Sequence, residues 1–225
     1  MATLVLDFDS CLVPVESLEL YAERELAEDS ARLASLIALT DAGMDGRISF
    51  EESLQRRLDL LTPRREPLTR LGEELAMQTS QGSTTMVKRL QQEGHEVWIV
   101  SGGFLEVLLP VSRALGIPEA RVHGLRARFD ARGRYVELDE TRPFHRSKVA
   151  GLTRVGVGWP RPAVGVGDGM TDLALKEAGF VEEFIAYTEH VQRQAVLARS
   201  QYQAQDMVEV ESIVRRLWME MEENR

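Results

Sequence analysis

The sequence predicts an α/β protein, a Rossmann-like parallel-sheet core interrupted by an all-helical insertion. From residue 84 onward, short β-rich runs alternate with amphipathic helical stretches, the signature of βαβ units and hence of a parallel sheet. Between the first apolar run, Leu4-Val5-Leu6, and that point there is no strand signal. Residues 15–76 instead carry apolar side chains at three- and four-residue intervals almost throughout. The expected division is an α/β core of residues 1–13 and 82–225 and a helical domain of residues 14–81.

Taken in order, the opening strand ends in Asp7-Phe8-Asp9, two carboxylates spaced i, i+2. In the insertion, residues 16–22 and 30–37 have helical periodicity, and Asp45-Gly46 reads as a turn. Ser49 with Glu52 three residues on is a capping box for a helix that runs to Leu61 and is stopped by Pro63. A last helix covers residues 66–77, and the polar residues 78–83 form a linker. The core resumes with a helix at 85–93, closed by Gly94, and a strand at 95–100 that runs into Ser101-Gly102-Gly103. A helix at 105–115 follows and ends at Gly116. Residues 122–137 read as a hairpin around Asp130-Ala131-Arg132-Gly133. A buried strand at 163–166 ends at Gly167-Asp168-Gly169, followed by a helix at 171–178 and a further strand at 184–187. The last segment, 207–221, is an amphipathic helix whose Trp218, Met219 and Met221 form a packing face or a dimer contact, so the chain is expected as a monomer or homodimer.

At 225 residues, with 44% hydrophobic and 28% charged residues, the chain has the size and composition to bury a proper core, which excludes a disordered or fibrous protein. Twenty-seven basic residues against 36 acidic ones give a net charge of -9 with no dense basic run, so no nucleic-acid partner is expected. No stretch approaches the ~20 apolar residues that span a bilayer, and no basic segment precedes the first apolar run. Cys11 is the only cysteine, so no internal disulfide can form. The expectation is a cytoplasmic protein with no membrane partner. None of His95, His123, His145 and His190 has a cysteine or second histidine at metal-ligand spacing, and they are read as structural. If so acidic a chain handles an anionic substrate, it must concentrate positive charge locally.

Three strand ends carry polar residues of complementary types: Asp7 and Asp9, Ser101-Gly102, and Asp168 with Asp172. Lys148 lies between the last two sets. In an open parallel sheet such ends converge on one crevice. Each piece alone has an ordinary explanation, as a turn, a helix cap or a surface lysine. In order and at strand ends, the four together resemble the haloacid dehalogenase-like phosphohydrolases, whose pattern is D-x-D, a strand-terminal Ser or Thr, a Lys, and G-D-x-x-x-D. That resemblance implies a Mg²⁺-dependent reaction. Asp7 is then the nucleophile that forms an aspartyl-phosphate, and Asp9 the acid/base. The implied ligands of Mg²⁺ are Asp7, the backbone carbonyl of Asp9, and Asp168. Ser101 and the Gly102 amide would hold phosphate oxygens, with Lys148 offsetting charge and Asp172 either orienting the loop or Lys148, or touching the metal.

Within the insertion, Glu16, the stretch Met44 to Phe50 and Ser53-Leu54-Gln55-Arg56-Arg57 look like the helical cap of the phosphoserine phosphatase family. The likeness implies Arg57 for a substrate carboxylate, Glu16 for its ammonium, and Met44 and Phe50 as an apolar lid. Thr171 stands where the family frequently has Asn and would donate a hydrogen bond to phosphate or substrate. The expected substrate is a small phosphorylated metabolite, first of all L-phosphoserine. The alternatives are another small phosphate ester, phosphoryl transfer from phosphoserine to homoserine, and, from a different class, a catalytically weak binding protein. Two positions depart from the family pattern: Cys11 stands where Thr is common, and Ser147 precedes Lys148 where Gly is common.

Overall fold

Leu4, Val5 and Leu6 are sealed from solvent because their strand lies inside a sheet that is covered on both faces. The computed structural model describes residues 1–44 and 46–223. Its strands are β1 (Thr3–Leu6), β2 (Glu96–Phe104), β3 (Val122–Leu125), β4 (Ala127–Phe129), β5 (Tyr135–Leu138), β6 (Ala163–Gly167), β7 (Glu183–Tyr187) and β8 (Tyr202–Ala204). Six of them form one parallel sheet in the order β3-β2-β1-β6-β7-β8. Leu6 pairs with Ile99 on one side and Val166 on the other. That register brings Asp7, Ser101 and Asp168 to the same edge of the sheet.

Four helices make up the segment that follows β1: α1 (Ser17–Glu25), α2 (Ser30–Met44), α3 (Phe50–Leu60) and α4 (Arg65–Leu75). Six more follow: α5 (Ser83–Gln92), α6 (Leu105–Ala114), α7 (Lys148–Val155), α8 (Met170–Glu177), the single turn α9 (Gln194–Leu197) and α10 (Met207–Glu223). Ser49 caps α3 as its spacing predicts, accepting the Glu52 N–H at 3.1 Å. The expected turn at Asp45-Gly46 falls partly outside the described residues; Gly46 has φ +73°. Close packing of α2 on α3 needs a bare backbone at Gly43, where a Cβ would lie 2.7 Å from Ser53 Oγ, and Ser53 Oγ donates to the Leu39 carbonyl at 2.7 Å. The insertion returns along α4, which packs against α6 with Gly72 so close that a Cβ there would meet the Val107 carbonyl at 2.5 Å.

The outgoing and returning segments of the insertion are laced together at Ser80. Its N–H donates to the Leu12 carbonyl at 2.9 Å and its hydroxyl to the Cys11 carbonyl at 2.6 Å. The same oxygen lies 2.8 Å from His190 Nε2. Because the Ser80 proton is committed to Cys11, Nε2 must be the donor in that contact.

Three sequence expectations change. Residues 122–125 are an edge strand of the main sheet, paired parallel with β2; the antiparallel hairpin is only β4 with β5. Ser101 to Gly103 do not form a turn but continue β2, with an irregular register, directly into α6. The edge strand β8 gave no sequence signal at three residues. At the C-terminus Trp218 is buried, its ring 4.5 Å from that of His95, whereas Met219 is exposed. No described helix is long and apolar enough to cross a membrane.

His123 sits between the rings of Trp98 and Phe144, each centroid 5.5 Å away, with no hydrogen-bond partner on either nitrogen among the described residues. Burial, with a smaller push from Arg142, lowers its pKa from 6.5 to about 4. The folded state therefore keeps His123 neutral while the unfolded chain takes up a proton. Its contribution is complete above pH 6.5 and is lost as pH falls toward 4, by up to about 3 kcal/mol. In urea unfolding at pH 7 and about pH 4.5, wild type is expected to lose roughly 2 kcal/mol more stability than His123→Phe; equal losses would contradict the assignment.

Candidate active site

The chain leaves β1 through a tight loop in which Ser10 adopts φ +52° and the N–H groups of Cys11, Leu12 and Val13 all turn back to the Phe8 carbonyl. This winding turns Asp9 toward the start of α1, where its Oδ1 accepts the Ser17 N–H at 2.9 Å. Cys11 is fully buried behind the loop, and burial together with Asp7 pushes its thiol pKa well up, so it stays protonated and inert. The Ser17 amide supplies a fixed hydrogen bond to Asp9 that does not depend on the side chain at position 11.

Lys148 is the first residue of α7, whose cap Ser147 accepts the Ala150 N–H at 2.9 Å. Lys148 Nζ donates to Asp7 Oδ1 at 2.5 Å and to Asp172 Oδ1. Asp172 is fixed in turn by the Gly169 N–H, 3.0 Å from its Oδ2. The approach requires glycine at 167, where a Cβ would overlap the Asp172 carboxylate at 2.4 Å. Ser101 Oγ accepts the Gly103 N–H at 2.9 Å.

The predicted residues converge. Asp7, Asp9, Glu16, Met44, Phe50, Arg57, Ser101, Gly102, Lys148 and Thr171 all line one cavity of about 40 Å³, room for a very few waters. Asp168 and Asp172 stand beside it, joined to Asp7 by carboxylate oxygens within 4.8 Å of one another. Phe50 brings the tip of its ring against the cavity wall: a Cβ on Gly102 would meet its Cζ at 2.6 Å. The inserted helices thus close down on the sheet edge.

Two contributors escaped the sequence reading. Arg193, in the loop before α9, donates from Nε to Asp168 Oδ2 at 2.8 Å and from Nη2 to Glu16 Oε1 at 3.3 Å. Glu16 Oε1 also accepts from Ser10 Oγ at 2.9 Å. A lone arginine in a loop has no sequence signal. Thr40 also lines the cavity. It lies four residues before Met44, and that helical spacing could have placed it on the same face.

Burial dominates the electrostatics. It raises Asp9 to about 7, assisted by Asp7 and opposed by Ser17 and Lys148. Glu16 and Asp172 are pushed well above the carboxylate range by burial and then by neighbouring acids, Asp9 and Asp7 respectively. Asp168 is raised by burial and by Asp7, and Arg193 opposes the rise. For Lys148 burial acts to strip the proton, but Asp172 and Asp7 outweigh it and hold the ammonium charged. Asp168 Oδ1 is buried with no partner among the described residues. An all-oxygen donor set of clustered carboxylates and an orphaned carboxylate oxygen fit one hard divalent cation.

Comparison with known proteins agrees. Residues 4–177 match the haloacid dehalogenase-like hydrolase family. The chain is 31% identical to phosphoserine phosphatase of Bos taurus over 91% of its own length and 89% of that protein's, and 30% identical to the Homo sapiens enzyme with the same coverage. A phosphoserine phosphohydrolase-like protein from Francisella tularensis superposes with a TM-score of 0.91 at 32% identity, covering 95% of this chain and 100% of that one. With its sheet order, its strand-end acids and these likenesses in agreement, the chain belongs to the haloacid dehalogenase-like hydrolases, in the phosphoserine phosphatase family, and is a phosphoric monoester hydrolase.

Proposed function

We propose that the protein hydrolyses L-phosphoserine to L-serine and phosphate. The observation that carries this reading is Arg57, 7% exposed on the cavity wall, with no ion pair within 4.0 Å among the described residues. Burial lowers its pKa, and its polar contacts are to neutral oxygens, Ser53 O at 3.4 Å and Thr40 Oγ1 at 3.2 Å. A buried guanidinium without a counter-ion is matched by a ligand that brings one. In the same cavity Glu16 offers a carboxyl group that an incoming ammonium would hold ionised against its burial, so the complementary ligand is a zwitterion that also carries a phosphate for the Asp7 end. A phosphorylated amino acid has that charge pattern.

Asp7 attacks phosphorus while the bond to the serine oxygen breaks, and Asp9, protonated near neutrality, gives its proton to that oxygen. In the second half Asp9 takes a proton from the water that attacks the aspartyl-phosphate, which frees phosphate and restores Asp7. Lys148, already bonded to Asp7, carries positive charge to the incoming phosphoryl group. Ser101 Oγ, the Gly102 N–H and Thr171 hold phosphoryl oxygens or the substrate, and Asp172 keeps Lys148 in place. A Mg²⁺ held by Asp7, Asp168 and the carbonyl of Asp9 would offset the charge of the phosphoryl oxygens. Residues 14–81 act as a cap on a core of residues 1–13 and 82–225, with Met44 and Phe50 excluding water from the closed site.

Phosphate release from phosphoserine is expected to fall by at least about a thousandfold in Asp7→Asn; surviving turnover would exclude covalent catalysis by Asp7. Chelation with EDTA should abolish activity and lower Tm, and added Mg²⁺ should restore both. Indifference of both readouts would remove the metal from the reading. Arg57→Ala is expected to raise KM for phosphoserine by about ten- to a hundredfold, and an unchanged KM would rule out carboxylate recognition by Arg57.

A further inference from the structure

We propose that Thr40 is a positioning residue for substrate recognition, its hydroxyl oxygen fixing the guanidinium of Arg57 from the neighbouring helix. The inference rests on the reading of Arg57 as the partner of a substrate carboxylate. Arg57 stands on α3, and one of its two hydrogen bonds, at 3.4 Å, goes to the Ser53 carbonyl of its own helix. The other crosses to α2, from Nη1 to Thr40 Oγ1 at 3.2 Å. Among the described residues Thr40 is the one side chain that donates an acceptor to this fork. A long arginine side chain has several rotamers open to it, and a bond at its far end is what selects one.

The chemistry of the acceptor matters as much as its position. Thr40 is 3% exposed and lines the same cavity, so its oxygen works without competition from bulk water. Its single proton has two acceptors in reach, the Leu36 carbonyl at 3.4 Å and the Glu19 carboxylate, and donation to either leaves an oxygen lone pair for Arg57. A hydroxyl orients the guanidinium but does not neutralise it. An acid at this position would close an ion pair with Arg57 and compete with the substrate carboxylate. The negative charge that opposes the lowering of the Arg57 pKa by burial comes from farther off, from Glu16 first and then Glu19 and Asp9. Glu19 on α1 feels both Thr40 and Arg57, each of which opposes the rise in its pKa that burial imposes. The α2–α3 distance that sets the Thr40 to Arg57 bond is itself held by the contact of Gly43 with Ser53 and by the Ser53 bond to Leu39.

The test compares Thr40→Val, which keeps the shape and removes the acceptor, with Thr40→Ser, which keeps the acceptor, and with Arg57→Ala, each checked by Tm and assayed with phosphoserine and Mg²⁺. The expected result is a KM raised about tenfold in Thr40→Val with kcat within about twofold of wild type, and KM restored in Thr40→Ser. Should Thr40→Val fail to fold, Thr40→Ala replaces it in the same comparison. A wild-type KM in the variants lacking the hydroxyl, alongside a raised KM in Arg57→Ala, overturns the role of Thr40 and leaves the substrate reading standing. A fall in kcat with KM unchanged also overturns it, because that pattern belongs to a disturbed cap. If Arg57→Ala itself leaves KM unchanged, the substrate reading fails, and the proposal fails with it.

Discussion

The buried ammonium of Lys148, shared between Asp7 and Asp172, is the interaction on which the rest of the site depends. It ties together the end of β1, the start of α7 and the start of α8, three elements far apart in sequence. Burying a cation with two carboxylates costs a large desolvation energy, and that cost is recovered only when the geometry is good and the remaining lone pairs are satisfied. Here they are: Gly169 donates to Asp172, and Gly167 gives up its side chain so that the carboxylate fits. Without the lysine, two acids would face each other in a dry pocket, and one would have to take up a proton.

The division of labour follows from stiffness. The groups assigned to the phosphoryl end on the proposed reading, Asp7, Ser101 and Asp168, stand at or just past the ends of hydrogen-bonded strands in an enclosed sheet, where a shift of one would strain the whole register. The groups assigned to the rest of the substrate, Glu16, Met44, Phe50 and Arg57, lie on or beside the inserted helices. On the proposed reading, chemistry and selection thus rest on separate parts of the fold. Arg193 crosses that line: it belongs to the core, bonds Asp168, and reaches Glu16 at the root of α1.

Much of this was legible in the chain. Strand ends are marked by a change from apolar to small or acidic residues, so Asp7-Phe8-Asp9, Ser101-Gly102 and Gly167-Asp168 declared themselves, and parallel topology required that they meet. The helical insertion was legible because Ser49, Glu52 and Pro63 act locally. What could not be read was partnership. Residues 122–125 look like one arm of a hairpin because alternation reports burial, and does not report which strand lies alongside. Ser101 to Gly103 look like a turn because glycines usually make one; here Gly102 is bare to admit Phe50 from a distant helix. Arg193 and Thr40 are ordinary residues locally, and they acquire a role only through the fold around them.

The crossing at Ser80 has a mechanical consequence. Both connections to the inserted helices pass through one hydrogen-bonded knot, a few residues from Asp9 and backed by His190. A knot so placed fixes the separation of the two chain segments where the inserted helices leave and rejoin the sheet, so the loop that carries Asp9 is braced from both sides like a beam clamped at its root.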